Sequence, residues 1–276
     1  MIYILLSTYN GERFLREQLD SILAQTYTDW RLYARDDGST DGTCSILKDY
    51  AEQDGRIVVI KDDKRFGAKC SFVYLLEQFG EADYFAFADQ DDVWDSDKLE
   101  VCLNSMQKQE KQTPDIPIVV HTDLRVVDEQ LQPIAPSFWH YCNIRPELLD
   151  GDIHYMALCS SVTGCAMLFN RPARDCSLPM SEDAFMHDLW IARRTLLRGG
   201  IVIPIHRATI DYRQHGDNVL GATEYTAWGK SLRKRIKDAQ FMYSIAHPEI
   251  FPNKLQFCWW KIKYILHRLF TIENHG

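Results

Sequence analysis

The order of short apolar runs and amphipathic stretches in the first hundred residues limits the possible folds of this chain more than any other feature. The runs MIYILLS, WRLYARDD, RIVVIKDD and DYFAFAD read as strands. Between them, Phe14, Leu15, Leu19, Ile22 and Leu23 recur at helical spacing. So do Ile46, Leu47, Tyr50 and Ala51 after the turn at 39–42, and CSFVYLLEQF is a third helical stretch. Such alternation predicts parallel strands joined by right-handed crossovers, with helices on both faces of the sheet.

In open sheets of this kind, ligands bind beyond the carboxyl ends of the strands. Polar clusters fall at four such ends: 7–10 (STYN), 36–39 (DDGS), 61–65 (KDDKR) and 89–92 (DQDD). The last is the densest, because Asp89, Asp91 and Asp92 are followed at once by Asp95 and Asp97. Carboxylates this close raise one another's pKa unless a cation sits among them. Neither GxGxxG nor GxxxxGK[ST] follows the first strand, so phosphates need another partner. Mg²⁺ or Mn²⁺ held by Asp91 and its neighbours would bridge to a diphosphate. Asp95 and Asp97 read as acids at the N-terminus of the helix DSDKLEVCLNSMQ, where the dipole favours negative charge. Trp94 reads as packing.

Further on the pattern is mixed. PIVVHTDLRVVD, GCAMLFN, IVIPI and ATIDYRQH read as strands, and AFMHDLWIARRTLL as a helix. No linker rich in Gly, Ser or Pro interrupts them. The expected organisation is one α/β domain over 1–221, in halves 1–115 and 116–221, then a helical tail over 222–276. At 46% hydrophobic and 25% charged, the composition is that of a soluble globular chain. No apolar run approaches the ~18 residues of a membrane span. MIYILLSTYN has no basic lead and no small-residue cleavage site, so no signal peptide is expected. The eight cysteines are scattered without a CxxC pair, which argues for reduced thiols in the cytoplasm and against a zinc site. The net charge of −8 is uneven. Residues 228–270 carry nine Lys or Arg against two acids, a net of +7 that leaves −15 on the remainder. A basic, aromatic-rich end on an acidic body points to an anionic partner.

STYNGERFLREQLDSILAQTYTDWRLYARDDGSTDGT resembles the start of the family 2 glycosyltransferases, and FADQDD resembles their DxD metal motif. HDLW (187–190) and YRQHGDNVLG (212–221) resemble later signatures of bacterial rhamnosyltransferase-like members. The resemblance covers about residues 1–221. It implies the GT-A fold: α/β, Rossmann-like, mainly parallel sheet, helices on both faces. Carried over by position, it implies that Ser7 and Tyr9 contact the nucleoside. Asp37 accepts the imide N–H of uracil or thymine. Arg65 pairs with the nucleotide or its phosphates. Asp36 and Asp37 have the alternative of shaping the turn before Thr43. Asp91 is implied as the direct metal ligand, Asp89 as ribose or metal contact and Asp92 as helper. The base is Asp188, with Asp183 the second choice, and His187 stands where an acid is usual. His215 is implied as a third ligand or diphosphate contact, and Arg213 as a cation for the leaving diphosphate. The processive QxxRW signature is absent.

The expectation is therefore an inverting, metal-dependent, non-processive transferase. It would move a sugar, dTDP-rhamnose being the first donor considered, to a saccharide or lipid-linked saccharide in bacterial surface polysaccharide synthesis. UDP-glucose or UDP-galactose is the alternative donor. A sugar nucleotidyltransferase would need a glycine-rich basic loop that 7–14 does not supply. A non-catalytic sugar-binding relative would be expected to lose the acids that are present here. On a helix, Phe257, Trp260, Tyr264 and His267 form one stripe, with Trp259, Ile262, Leu266 and Phe270 nearby. Either this tail docks peripherally on the inner membrane face, or its stripe packs on protein. No nucleic-acid partner is expected.

Overall fold

The computed structural model describes residues 1–62, 64–216, 218, 221–223, 232–246 and 249–270, with the backbone alone at 232–236 and 268–270. Parts of the predicted tail, 224–231, 247–248 and 271–276, lie outside the described residues.

The four predicted strands are β1 (Ile2–Thr8), β2 (Trp30–Asp36), β3 (Ile57–Ile60) and β4 (Tyr84–Ala88). They are mutually parallel in the order β3-β2-β1-β4. Helices α1 (Leu15–Leu23), α2 (Thr43–Gln53) and α3 (Gly67–Gln78) connect them. Strand β1 is apolar over Ile2–Leu6 because both its faces are covered there. Ile2, Ile4 and Leu6 pack with Leu15, Leu19, Ile46 and Leu47, whereas Tyr3 and Leu5 pack with Phe72, Leu75 and Leu76.

Beyond β4 the sheet continues with antiparallel neighbours. β8 (Met167–Asn170) lies between β4 and β6 (Ile118–Val127), antiparallel to both. β6 pairs in parallel with β9 (Ile201–Arg213), which pairs antiparallel with the two-residue β5 (Val93–Trp94); β7 (Pro133–Ala135) adds to the other edge of β6. The segments IVIPI and ATIDYRQH, expected as separate strands, are one 13-residue strand with a bulge. Thr122 pairs with Ile205 and Asp123 with Ala208, so His206 and Arg207 are extruded between them. The extruded Arg207 meets Asp97 at 2.8 Å. Asp95 is held by Arg125 at 2.6 Å. The two acids thus act as ion-pair partners ahead of α4 (Lys98–Glu110), and the Asp97 side chain makes no capping bond. Trp94 is buried, as expected.

The sequence reading left 137–177 partly unassigned. It contains the short helices α5 (Phe138–Tyr141), α6 (Pro146–Leu149) and α7 (Ile153–Leu158), and α8 (Arg171–Ser177). A buried polar group ties this region to the sheet: Asp150 meets His121 Nε2 at 2.7 Å and accepts from Ser161 Oγ. α9 (His187–Leu197) returns the chain to β9. The tail forms α10 (Leu232–Ala246) and α11 (Lys254–Phe270). Phe257 and Tyr264 of α11 join Ala246, Ile250 and Phe251 in a third core against Leu149, Tyr155 and Leu158. Cys44, Cys70, Cys102, Cys165, Cys176 and Cys258 are free thiols. Among the described residues, no helix is long and apolar enough to cross a membrane.

Candidate active site

The carboxyl ends of β1, β2 and β4 open onto a cavity of about 350 Å³, within the range of small-molecule sites. Ser7, Tyr9, Asp37, Arg65, Asp89, Asp91 and Asp188 line it, together with Gln90, Gly164, His187 and Asn218. Seven of the residues singled out from the sequence thus meet in one place.

The two acids at the end of β2 divide their roles. Asp36 accepts from Thr8 Oγ1 and from the backbone N–H groups of Gly38 and Ser39, at 2.7–3.0 Å. It therefore builds the turn, in which Gly38 has φ +86°, a conformation that favours glycine. Asp37 faces the cavity. It accepts from Phe66 N at 2.7 Å, Gly67 N at 2.8 Å and Arg35 Nη1 at 2.6 Å. Burial works to raise its pKa, but those bonds outweigh it and hold the carboxyl below the usual range. Arg35, fully buried, also grips Asp62 at 2.7–2.8 Å and lies over the Phe66 ring. The sequence reading passed over this arginine. Its signal was a cation inside an apolar strand, directly before paired acids. Tyr9 is fixed by Gln90, whose side chain accepts from Tyr9 N at 2.8 Å and donates to Tyr9 O at 3.0 Å. Gln90 was also passed over. Arg65 stacks on the Tyr9 ring at 5.1 Å and donates to Gly38 O.

At the end of β4 no such cation is built in. Asp89 has its pKa pushed up to about 7 by burial, then by the charges of Asp91 and Asp188. Asp92 is raised well above the usual range by burial, then by the charges of Asp91 and Asp89. Asp92 does not line the cavity: it turns inward, accepts from Arg213 N at 3.2 Å, and leaves Oδ2 without a partner. Asp91 is oriented by His215 Nε2 at 2.6 Å and by Asn218 Nδ2 at 3.4 Å. His215 therefore reaches Asp91 rather than the cavity, with its ring 4.9 Å from that of Phe14. Arg213 also lies outside the cavity lining. It is buried, paired with Glu17, donates to Asp91 O and Glu129 O at 2.7 Å, and does not face the cavity.

Asp188 lies in the first turn of α9, where the helix dipole favours its charge. Its carboxylate accepts from Gly164 N at 3.1 Å. A side chain at Gly164 would come 3.0 Å from His187 Nε2, so the glycine lets the two segments close. His187 is buried between Phe72 and Phe87, each 4.5 Å away, and burial lowers its pKa. Asp183 is exposed, lines a separate cavity between α9 and α10, and does not cap α9. The structure thus brings Asp188, and not Asp183, to the acids of β4.

The carboxylates of Asp89 and Asp91 are suited to a hard divalent cation. A tighter group, Asp89, Asp92 and Cys165, has potential ligand atoms within 4.8 Å of one another. There, however, Cys165 offers a soft sulfur, whereas Mg²⁺ and Mn²⁺ select oxygen ligands. Among the described residues, Arg65 is the one arginine or lysine that lines the cavity.

Residues 3–175 match the family model described as glycosyl transferase family 2. The chain is 31% identical over 108 residues to the UDP-Glc:alpha-D-GlcNAc-diphosphoundecaprenol beta-1,3-glucosyltransferase WfgD of Escherichia coli, covering 39% of this chain and 42% of that protein. It is 33% identical over 105 residues to the dTDP-rhamnosyl transferase RfbG of Shigella flexneri, covering 37% and 36%. Each match thus spans less than half of the relative's length. Among solved structures, the mannosyltransferase PcManGT from Pyrobaculum calidifontis, in complex with GDP-Man and Mn²⁺, superposes with a TM-score of 0.60 at 17% identity, covering 100% of this chain and 75% of that one. The fold is GT-A.

Proposed function

The chain belongs to glycosyl transferase family 2, and we propose that it is an inverting, metal-dependent, non-processive transferase of bacterial surface polysaccharide synthesis. One observation carries the proposal: Asp89 and Asp91 from one strand end and Asp188 from a distant helix line the same cavity as Ser7, Tyr9, Asp37 and Arg65.

In this reading the nucleoside lies across Ser7 and Tyr9. Asp37, ionised, is a pure acceptor, which matches the imide N–H of uracil or thymine and disfavours the acceptor N3 of cytosine. Arg65 supplies positive charge beside the phosphates. Mn²⁺ or Mg²⁺, held by Asp91 with Asp89, supplies the charge that neutralises the leaving diphosphate when bound. Asp188 takes the proton of the acceptor hydroxyl as that oxygen attacks the anomeric carbon from the face opposite the diphosphate. The C–O bond to the diphosphate breaks in the same displacement, so configuration inverts. His215 and Asn218 hold Asp91 in orientation for its role.

The donor is read as dTDP-rhamnose, which the HDLW and YRQHGDN motifs and the Shigella relative support. UDP-glucose or UDP-galactose is the second reading, supported by the Escherichia coli relative. That relative's name also supports a lipid-linked saccharide as acceptor, and with it a peripheral position on the inner face of the cytoplasmic membrane through 228–270. Thermal melting of the chain with each nucleotide sugar, with and without Mn²⁺, tests the reading. The true donor is expected to raise the melting temperature in a concentration-dependent way that needs the ion. No shift with any nucleotide sugar would overturn it.

A further inference from the structure

Helix α11 is apolar on two opposite sides. Successive residues on a helix are turned by about 100°, so positions two apart face away from each other. Phe257 and Tyr264 are 5% and 7% exposed and pack on α7, with Trp260 stacked on His154 at 4.2 Å. Of the two alternatives for the stripe of Phe257, Trp260 and Tyr264, packing on protein is the one these contacts meet. Its opposite, Leu255, Trp259, Ile262 and Leu266, is 83%, 57%, 60% and 44% exposed. Adding Ile265, this single helix holds five of the ten exposed large hydrophobic residues among the described side chains. A helix with two apolar sides has two faces to cover, and among the described residues only the Phe257–Tyr264 side is covered.

We propose that the outer stripe of α11 seats the protein on an anionic lipid bilayer, with Leu255, Trp259, Ile262 and Leu266 in the boundary between headgroups and acyl chains. The charge around the stripe selects that partner. Residues 254–270 contain Lys254, Lys261, Lys263 and Arg268 and no acid. Lys254 is exposed at the start of the stripe, and Lys263 lies over the rings of Trp259 and Trp260 at 5.3 and 4.5 Å. An ammonium held over aromatic rings beside an apolar stripe suits a headgroup layer. A second copy docked by the same face would set these cations against each other. The remainder of the chain outside 228–270, at net −15, is repelled by an anionic surface. Contact is thereby confined to this face. The proposal rests on the lipid-linked-acceptor reading for its purpose, though not for its geometry.

Co-sedimentation of the full chain with vesicles tests it. The chain is expected to pellet with phosphatidylglycerol–phosphatidylethanolamine vesicles at low salt, to stay in solution with phosphatidylcholine alone, and to be released as salt rises. Trp259→Glu with Ile262→Glu, both at exposed positions, is expected to cut the partition coefficient about tenfold or more while leaving the melting temperature unchanged. Lys254→Glu with Lys263→Glu is expected to weaken binding to anionic vesicles only. Wild-type chain left in the supernatant, or a Trp259→Glu/Ile262→Glu variant that pellets like wild type, would overturn the proposal. A wild-type dimer that this variant dissociates, without vesicle binding, would overturn it in favour of a second copy. Donor-induced melting shifts, measured without vesicles, report on the catalytic reading separately, so either can fail alone.

Discussion

Two pairs of acids sit at the same edge of the sheet, and the protein treats them oppositely. At the end of β2, Arg35 lies between Asp37 and Asp62 and bonds both, and both carboxyls titrate below the usual range. At the end of β4, Asp89 and Asp92 have no such arginine, and both titrate above it. Lys98 lies beneath them, but its Nζ is buried over the Trp94 ring without a hydrogen-bond partner, and burial lowers its pKa. Arg213 runs close by and is paired with Glu17. An acid pair furnished with its own cation shapes a rigid rim. An acid pair left without one has an electrostatic deficit that an incoming cation can fill. In the proposed reading, the contrast separates an acid that would position the nucleobase from acids that would hold the cation for the diphosphate.

The largest expected effect is on chemistry at the unneutralised side. Asp188→Asn preserves size and cannot take a proton. Turnover is expected to fall by about 10²–10⁴-fold, with the donor-induced melting shift retained. Near-normal turnover in this variant would remove Asp188 from the role of base.

Arg35→Leu tests the neutralised side. It leaves Asp37 and Asp62 buried without their cation, a loss of about 3–5 kcal/mol for a broken buried pair. In a chain of this size each kcal/mol corresponds to about 2–4 °C in melting temperature. Asp89→Asn is expected to move the other way, raising the metal-free melting temperature slightly by relieving repulsion while abolishing transfer. Equal destabilisation by the two variants would erase the distinction between the rims. A divalent cation sharpens it further. Mn²⁺ at about a hundred times its dissociation constant is expected to stabilise wild type by about 2.7 kcal/mol. Asp91→Asn is expected to lose that gain and Arg35→Leu to keep it, as read by melting with and without chelator.

The same contrast marks what the sequence disclosed. The parallel half is readable because each strand and helix is encoded locally, in an apolar run or a 3.6-residue period, and the site residues at its strand ends follow from topology alone. Neighbouring residues there point to different sides, so Asp91 reaches the cavity and Asp92 does not. The role of Arg213 depends on Glu17, 196 positions away, which no local pattern records. Helices α5 to α7 have four to six residues, too short to form without tertiary support, and they left no periodic signal. Strand β9 was divided in the reading because the extruded His206 and Arg207 break the alternation. Both apolar stripes of α11 were visible in the sequence. Which one is buried was decided by α7, whose existence was not.

The smallest expected effect is a pH dependence confined to the neutralised rim. Asp37 and Asp62 have folded pKa values below the ordinary 3.8, Asp62 chiefly through its bonds to Arg35 and Asp37 through the same arginine acting against burial. A depressed carboxyl contributes stability above its unfolded pKa and loses it as pH falls through the folded value. The contribution of this rim is therefore expected to be constant from neutral pH down to about 4 and to decline below that. Arg35→Leu raises both carboxyls toward or above their ordinary values, so the acid limb of the melting curve should flatten relative to wild type. The difference between the two curves would then narrow as pH falls. Parallel curves between neutral pH and the acid transition would mean that Arg35 stabilises this edge by packing against Phe66 and not by charge.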